Sequence, residues 1–137
     1  MNIEIYITIG IIIIGLLFLG FLKRYLFTDK TEWIDEAIGI LRNIEQGLNT
    51  DPRYKIVEYD KLMEFVMQSK CKNKKSLGYN LKNKGSRILE KKELNQLWKL
   101  HKIRNEVVHS NRQSFSENDL EWSNNQYSIM LKKILFR

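Results

Sequence analysis

Hydrophobic positions divide the chain into one unbroken apolar run and five shorter amphipathic segments. Ile3 to Leu22 is twenty residues long with Glu4 as its only charge, a length that suits an α-helix crossing a hydrocarbon layer roughly 30 Å thick. Beyond it, apolar residues recur three and four apart, the period of a helix with one buried face. Ile34, Ala37, Ile38, Leu41, Ile44 and Leu48 predict a first helix from about Thr31 to Leu48. Asn49-Thr50-Asp51-Pro52 breaks it. Asp51 as N-cap and Pro52 at the first helical position open a second helix, with Ile56, Tyr59, Met63, Val66 and Met67 on one face and an end near Lys70. A lysine-rich loop, Lys70 to Lys75, leads to Ser76 as the cap of a shorter helix reaching Leu89, against which Gly78 and Gly85 count. A fourth helix is predicted from Glu93 to Ser110, then a polar turn from Asn111 to Ser114. In the last helix Ser116 caps, Asp119 reaches back and Phe115 packs on Leu120, with Leu120, Tyr127, Met130, Leu131 and Ile134 as the apolar face. The expected fold is all-α: a transmembrane anchor over residues 1–27, then an antiparallel bundle of four to five helices over residues 28–137.

Composition places the chain in a compartment. A cleaved signal peptide fits the apolar run poorly: no Lys or Arg precedes it, it is long, and no small-x-small site follows. Lys23 and Arg24 follow it instead, which under the positive-inside rule puts Met1 outside and the C-terminal domain in the cytoplasm of a single-pass cell-membrane protein. The single cysteine, Cys71, agrees with a reducing compartment and excludes an internal disulfide.

Charge is uneven. Residues 29–69 hold five Lys/Arg against nine Asp/Glu, whereas residues 70–92 hold nine Lys/Arg against one Glu. Lys70, Lys72, Lys74, Lys75, Lys82, Lys84, Arg87, Lys91 and Lys92 therefore suit a basic surface that attracts RNA or the anionic headgroups of the inner leaflet. The plainer reading is a solvated loop and helix edge. Only Tyr79 interrupts the lysines, so the stretch offers no base-stacking platform.

The chemistry concentrates in Leu97-Trp98-Lys99-Leu100-His101-Lys102-Ile103-Arg104-Asn105-Glu106-Val107-Val108-His109. At about 100° per residue, Leu94, Leu97, Leu100, Ile103, Val107 and Val108 cover one broad apolar arc. Arg104 falls near its middle, His101 beside it and Asn105 at its edge. An arginine cannot shed its charge there, and an unpaired buried charge is very costly. It needs a partner, a groove or another subunit. Asp60 and Glu58, on either side of the second helix's apolar arc, are the acidic candidates. Arg104 and His109 lie about 140° apart on a straight helix, so they share a site only if the helix ends or bends, the Arg wraps around it, or two subunits meet. His101 reads first as a hydrogen-bonded core residue. His109 at a helix end suits the terminal carbonyls as well as it suits chemistry. Trp33, Trp98 and Trp122 read as core or interface residues. Two His without nearby Cys or paired carboxylates give no metal site, and no phosphate loop or nucleophile elbow is present. No cofactor is expected.

Arg104-Asn105, three residues and then His109, preceded by Leu97-Trp98-Lys99-Leu100-His101-Lys102-Ile103 and by an upstream Glu58-Tyr59-Asp60-Lys61-Leu62, resembles the signature of the HEPN superfamily, small helical domains named for nucleotide binding in higher eukaryotes and prokaryotes. The resemblance spans roughly residues 31–137, with its specific part at 97–110. It implies a homodimer that pairs the motif helices so that two Arg and two His line one cleft. It further implies a metal-independent RNase of toxin or defence type, or a family member that has lost catalysis and serves as a dimerisation, nucleotide-binding or partner-binding module. In the enzymatic case His109 would carry the proton, Arg104 would clamp the phosphate and Asn105 would orient the site, with His101, Glu58 and Asp60 in support. The chemistry is reasonable, since His titrates near neutral pH and Arg binds phosphate through two N–H groups. A third reading is a small structural membrane protein whose lysines contact anionic lipid.

Overall fold

The computed structural model describes residues 3–109 and 115–137, and every element among them is helical. They form α1 (Ile3–Gln46), α2 (Pro52–Cys71), α3 (Leu77–Ile88), α4 (Lys91–His109) and α5 (Glu117–Leu135). Two compact units result, Met1–Trp33 and Ile34–Arg137.

In the first unit, Tyr6–Lys23 is an 18-residue stretch long and apolar enough to cross a membrane, and none of it is buried within the chain. Side chains such as Ile11, Ile14, Leu17 and Phe21 face outward. Every backbone polar group in a helix of this kind is satisfied within the segment, as a hydrocarbon layer requires. The separate helix expected from Thr31 to Leu48 is not a separate element: α1 runs through it. The reason is local, because residues 23–31 contain neither Pro nor Gly to end a helix. The stop comes at Gly47, where a Cβ would lie 2.7 Å from the Asn43 carbonyl oxygen. Leu48, assigned by spacing to the apolar face, therefore lies beyond the helix and is fully exposed.

The second unit is a helical bundle. Ala37 and Leu41 of α1 are buried, and Glu45 of the same helix bonds Lys132 Nζ of α5 at 2.7 Å. The Asp51 side chain accepts from the Arg53 N–H at 2.9 Å, with Pro52 in the first turn of α2. Ile56, Tyr59, Leu62, Met63, Val66 and Met67 of α2 are buried, joined by Leu77 and Leu81 of α3, Leu97 and Leu100 of α4, and Leu120, Tyr127, Leu131 and Ile134 of α5. Ser116 and Asp119 form a reciprocal capping box at the start of α5. Burial, opposed by Lys84, pushes the Cys71 thiol up, so it stays protonated and inert in the core.

Long-range contacts explain what the spacing resolved only weakly. α3 forms although it carries two glycines, and Gly85 is one reason it packs: Leu94 of α4 occupies the place of a Cβ there, at 2.5 Å. Glu64 of α2 accepts the Leu77 N–H at 2.8 Å and so satisfies the start of α3. The lysine-rich connection is tied down as well: Gln68 Nε2 and Asn80 Nδ2 both donate to the Lys75 carbonyl, at 3.0 and 3.1 Å. α4 starts two residues before the expected Glu93, because Glu93 serves as its third residue and accepts the Glu90 N–H at 2.9 Å. The buried Glu93 carboxylate also receives Lys133 Nζ at 2.6 Å and Arg137 Nη2 at 2.8 Å, which fastens the end of α5 to the start of α4. The expected end at Ser110 and the polar turn from Asn111 to Ser114 lie outside the described residues.

Candidate functional site

Asp60 is the centre of the polar chemistry inside the bundle. It is 3% exposed, and α2 holds it where α4 and α5 converge. Its Oδ1 accepts the Tyr127 hydroxyl at 2.7 Å and faces His101 Nδ1 at 2.8 Å. Its Oδ2 lies 3.3 Å from Arg104 Nε. Two helices, α4 and α5, thus supply the α2 carboxylate with a phenol, an imidazole and a guanidinium.

The protonation pattern follows from what each group can do. An ionised carboxylate only accepts, so Nδ1 of His101 must carry the hydrogen in that contact. The other ring nitrogen, Nε2, is left as a lone pair in the neutral ring. Tyr127 is wholly buried, and burial, followed by the nearby Asp60 charge, pushes its phenol far above the ordinary value. It therefore remains a donor at every accessible pH. Its ring also stacks on Tyr59, with centroids 6.2 Å apart and planes 5° from parallel, which fixes the direction of the hydroxyl.

Arg104 is neither sealed in nor free. Its side chain is 25% exposed. Nε is buried beside Asp60 yet too poorly aligned to complete a hydrogen bond, so the contact is an ion pair. Nη1 donates to Asn105 Oδ1 at 2.8 Å. That bond ties the guanidinium to the next residue of the helix, at the edge of the apolar arc. Asn105 and His109, four residues apart, are neighbours on the helix surface. The bond therefore joins Arg104 to a residue of the strip that carries His109. His109 is the last residue of α4 and is exposed.

Several expected site residues fall elsewhere. Glu58 bonds the exposed Lys61 at 2.8 Å and takes no part in the Asp60 cluster. Val108, assigned to the apolar arc, is 48% exposed, because it lies in the last turn of α4, where no described element covers it. Lys72, Lys74, Lys75, Lys82, Arg87, Lys91 and Lys92 are exposed, and Lys70 is half-buried. Lys84 turns inward and donates to the Cys71 carbonyl at 3.1 Å, so it serves the fold. On α3, Lys82 and Arg87 lie about 140° apart at helical spacing, so they do not share one face of that helix.

Tyr127 is the member of the cluster that spacing alone hides, since it occupies an ordinary core position of α5. The available signal is chemical: a buried Tyr hydroxyl needs a partner, and Asp60 is the one buried carboxylate on α2. Trp98 sits edge-on to His101 at 6.2 Å and also lines an open groove of about 750 Å³ with Asn95, Lys99, Lys102, Ile103, Glu106 and Phe115. Among the described residues no group of His, Cys, Asp and Glu is placed to hold a metal ion.

The chain matches no family model, no curated protein and no solved structure.

Proposed function

We propose that residues 34–137 form a HEPN-like domain tethered to the cell membrane by α1, and that it cleaves RNA without metal through Arg104, Asn105 and His109. The observation that carries this reading is the suspension of Arg104 between Asp60 and Asn105. A purely structural ion pair would turn the guanidinium fully onto its carboxylate. Here one edge is anchored, and no described residue bonds Nη2, which can take an anion. Arg recognises phosphate with that kind of exposed edge. Asn105 fixes the head, and His109, on the same helical strip, is the proton carrier. Two copies paired through α4 complete the cleft, with the groove beside Trp98 and Ile103 as the surface they share. Lys23 and Arg24 orient the domain to the cytoplasmic side, where RNA is available.

The test is cleavage of structured and unstructured RNA by the full chain in lipid nanodiscs, with chelator present, beside Arg104→Ala and His109→Ala. Loss of activity in both variants, with folding intact, supports the reading. A second reading, a non-catalytic dimerisation or partner-binding module, is favoured by the exposure of His109, which no described residue holds in place. A parent chain that dimerises but cleaves no RNA selects it.

A further inference from the structure

Cleavage of RNA without metal moves two protons. The ribose 2′-hydroxyl must lose one as its oxygen attacks phosphorus, and the departing 5′ oxygen must gain one. The attacking and leaving oxygens lie roughly in line on opposite sides of the phosphorus, so one imidazole cannot readily serve both in the same step. The chain contains two histidines, His101 and His109.

We infer that His101 is a second catalytic residue of the site, the general base, with its Nε2 as the proton acceptor. This rests on the RNase reading above. The geometry carries it in three parts. First, Nδ1 of His101 is committed to Asp60 Oδ1 at 2.8 Å, which fixes the tautomer and ring orientation and leaves Nε2 as the acceptor. Second, His101 precedes Arg104 by three residues, so the two side chains are neighbours on α4, and both are anchored on the two oxygens of the same carboxylate. Base and phosphate clamp are thus held at a fixed spacing. Third, a glycine lies beside Nε2. A Cβ on Gly78 would lie 3.5 Å from Nε2 and 3.9 Å from the Trp98 ring. The absence of that methyl leaves room beside Nε2, and the His101 side chain retains 15% exposure.

In the resulting step the 2′-hydroxyl gives its proton to His101 Nε2 while its oxygen forms a bond to phosphorus. The P–O5′ bond breaks, and the 5′ oxygen takes a proton from charged His109. The products are a 2′,3′-cyclic phosphate and a 5′-hydroxyl, and the two histidines have exchanged protonation states. No further reactant is needed.

His101→Asn separates chemistry from structure, since its side-chain amide replaces the Nδ1–H donor to Asp60 and supplies nothing at Nε2. The full chain in nanodiscs is assayed on two substrates, ordinary RNA and RNA with sulfur in place of the bridging 5′ oxygen. A thiolate leaves without protonation, so that substrate bypasses the acid and not the base. The inference expects His101→Asn to slow both substrates by about a hundredfold or more, and His109→Ala to slow ordinary RNA alone. Activity of His101→Asn within threefold of the parent, while Arg104→Ala is inactive, overturns this inference and leaves the RNase reading standing. Rescue of His101→Asn by the sulfur substrate overturns its assignment as the base. Absence of cleavage by the parent overturns both.

Discussion

Replacing Asp60 by Ala removes one carboxylate and strands three donors, and the consequence can be worked from their burial. The Tyr127 hydroxyl is wholly enclosed. Left without a partner it costs about 1–3 kcal/mol. His101 and Arg104 retain 15% and 25% exposure, so each recovers part of its loss from water, and roughly 1 kcal/mol apiece is appropriate. The total is about 3–5 kcal/mol, the range expected when one member of a buried charge cluster is removed. A domain of this size is stable by about 5–15 kcal/mol, so Asp60→Ala should lower the midpoint of thermal unfolding by roughly 15–30 °C. Tyr127→Phe leaves Asp60 with His101 and Arg104 and should cost only about 1 kcal/mol. In the double variant no hydroxyl is orphaned, so its cost should fall short of the sum by about 1 kcal/mol or more. Urea unfolding of the full chain in nanodiscs, followed by tryptophan emission and near-ultraviolet dichroism, reads all three. Glu58→Ala, which removes only an exposed pair with Lys61, should lie within about 0.5 kcal/mol of the parent. A cost below about 1.5 kcal/mol for Asp60→Ala, or strict additivity with Tyr127→Phe, would refute this account of the cluster.

Other outcomes follow from the same structure. The Lys133 ammonium, against the opposing effect of burial and with help from the Glu90 N–H and Arg137, holds the Glu93 carboxyl at about 2, below its ordinary 4.5. A depressed carboxyl stabilises the fold above pH 4.5, and that contribution is lost as pH falls from 4.5 toward 2; the parent should therefore lose stability over that window more steeply than Glu93→Gln, and parallel curves would contradict the clamp. Gly78→Ala adds a methyl at ordinary contact distance from His101 Nε2, and it should raise stability by about 0.5–1 kcal/mol while lowering RNA cleavage, measured by melting and by rate on one preparation. Lys84→Ala should destabilise the fold by about 1 kcal/mol through the lost bond to the Cys71 carbonyl. Charge reversal at the exposed Lys74, Lys82 and Arg87 should leave the melting point unchanged and flatten the salt dependence of RNA binding; if vesicle binding changes and RNA binding does not, the basic stretch serves lipid.

Local signals carried most of the fold. Asp51-Pro52 and Ser116 with Asp119 specify helix starts within four residues of sequence, and both caps form. Apolar spacing identified the buried faces of α2 and α5 for the same reason. Spacing failed where an element boundary or a distant neighbour decides. Leu48 keeps the helical period but falls after Gly47, and Val108 keeps it in a last turn that nothing described covers. Gly85 argues against a helix in isolation, yet Leu94 fills the place its side chain would take. The site was legible as a stretch of α4 and not as a constellation. Glu58 and Asp60 flank the same arc, and the choice between them depends on Tyr127, sixty-seven residues further along the chain. Arg104 and His109 lie about 140° apart on a bare helical wheel, so a shared site requires a helix end or bend, a wrapped Arg or a second subunit. The bond from Nη1 links Arg104 to Asn105, which lies between the two on the helical wheel.

The most direct test of the central claim is RNA cleavage by the full chain in nanodiscs with chelator present, compared with Arg104→Ala and His109→Ala. The account predicts cleavage by the parent, products ending in a 2′,3′-cyclic phosphate, and loss in both variants while their unfolding midpoints show that the fold is kept. Cleavage that survives either substitution, or a folded parent that leaves every RNA intact, would contradict it.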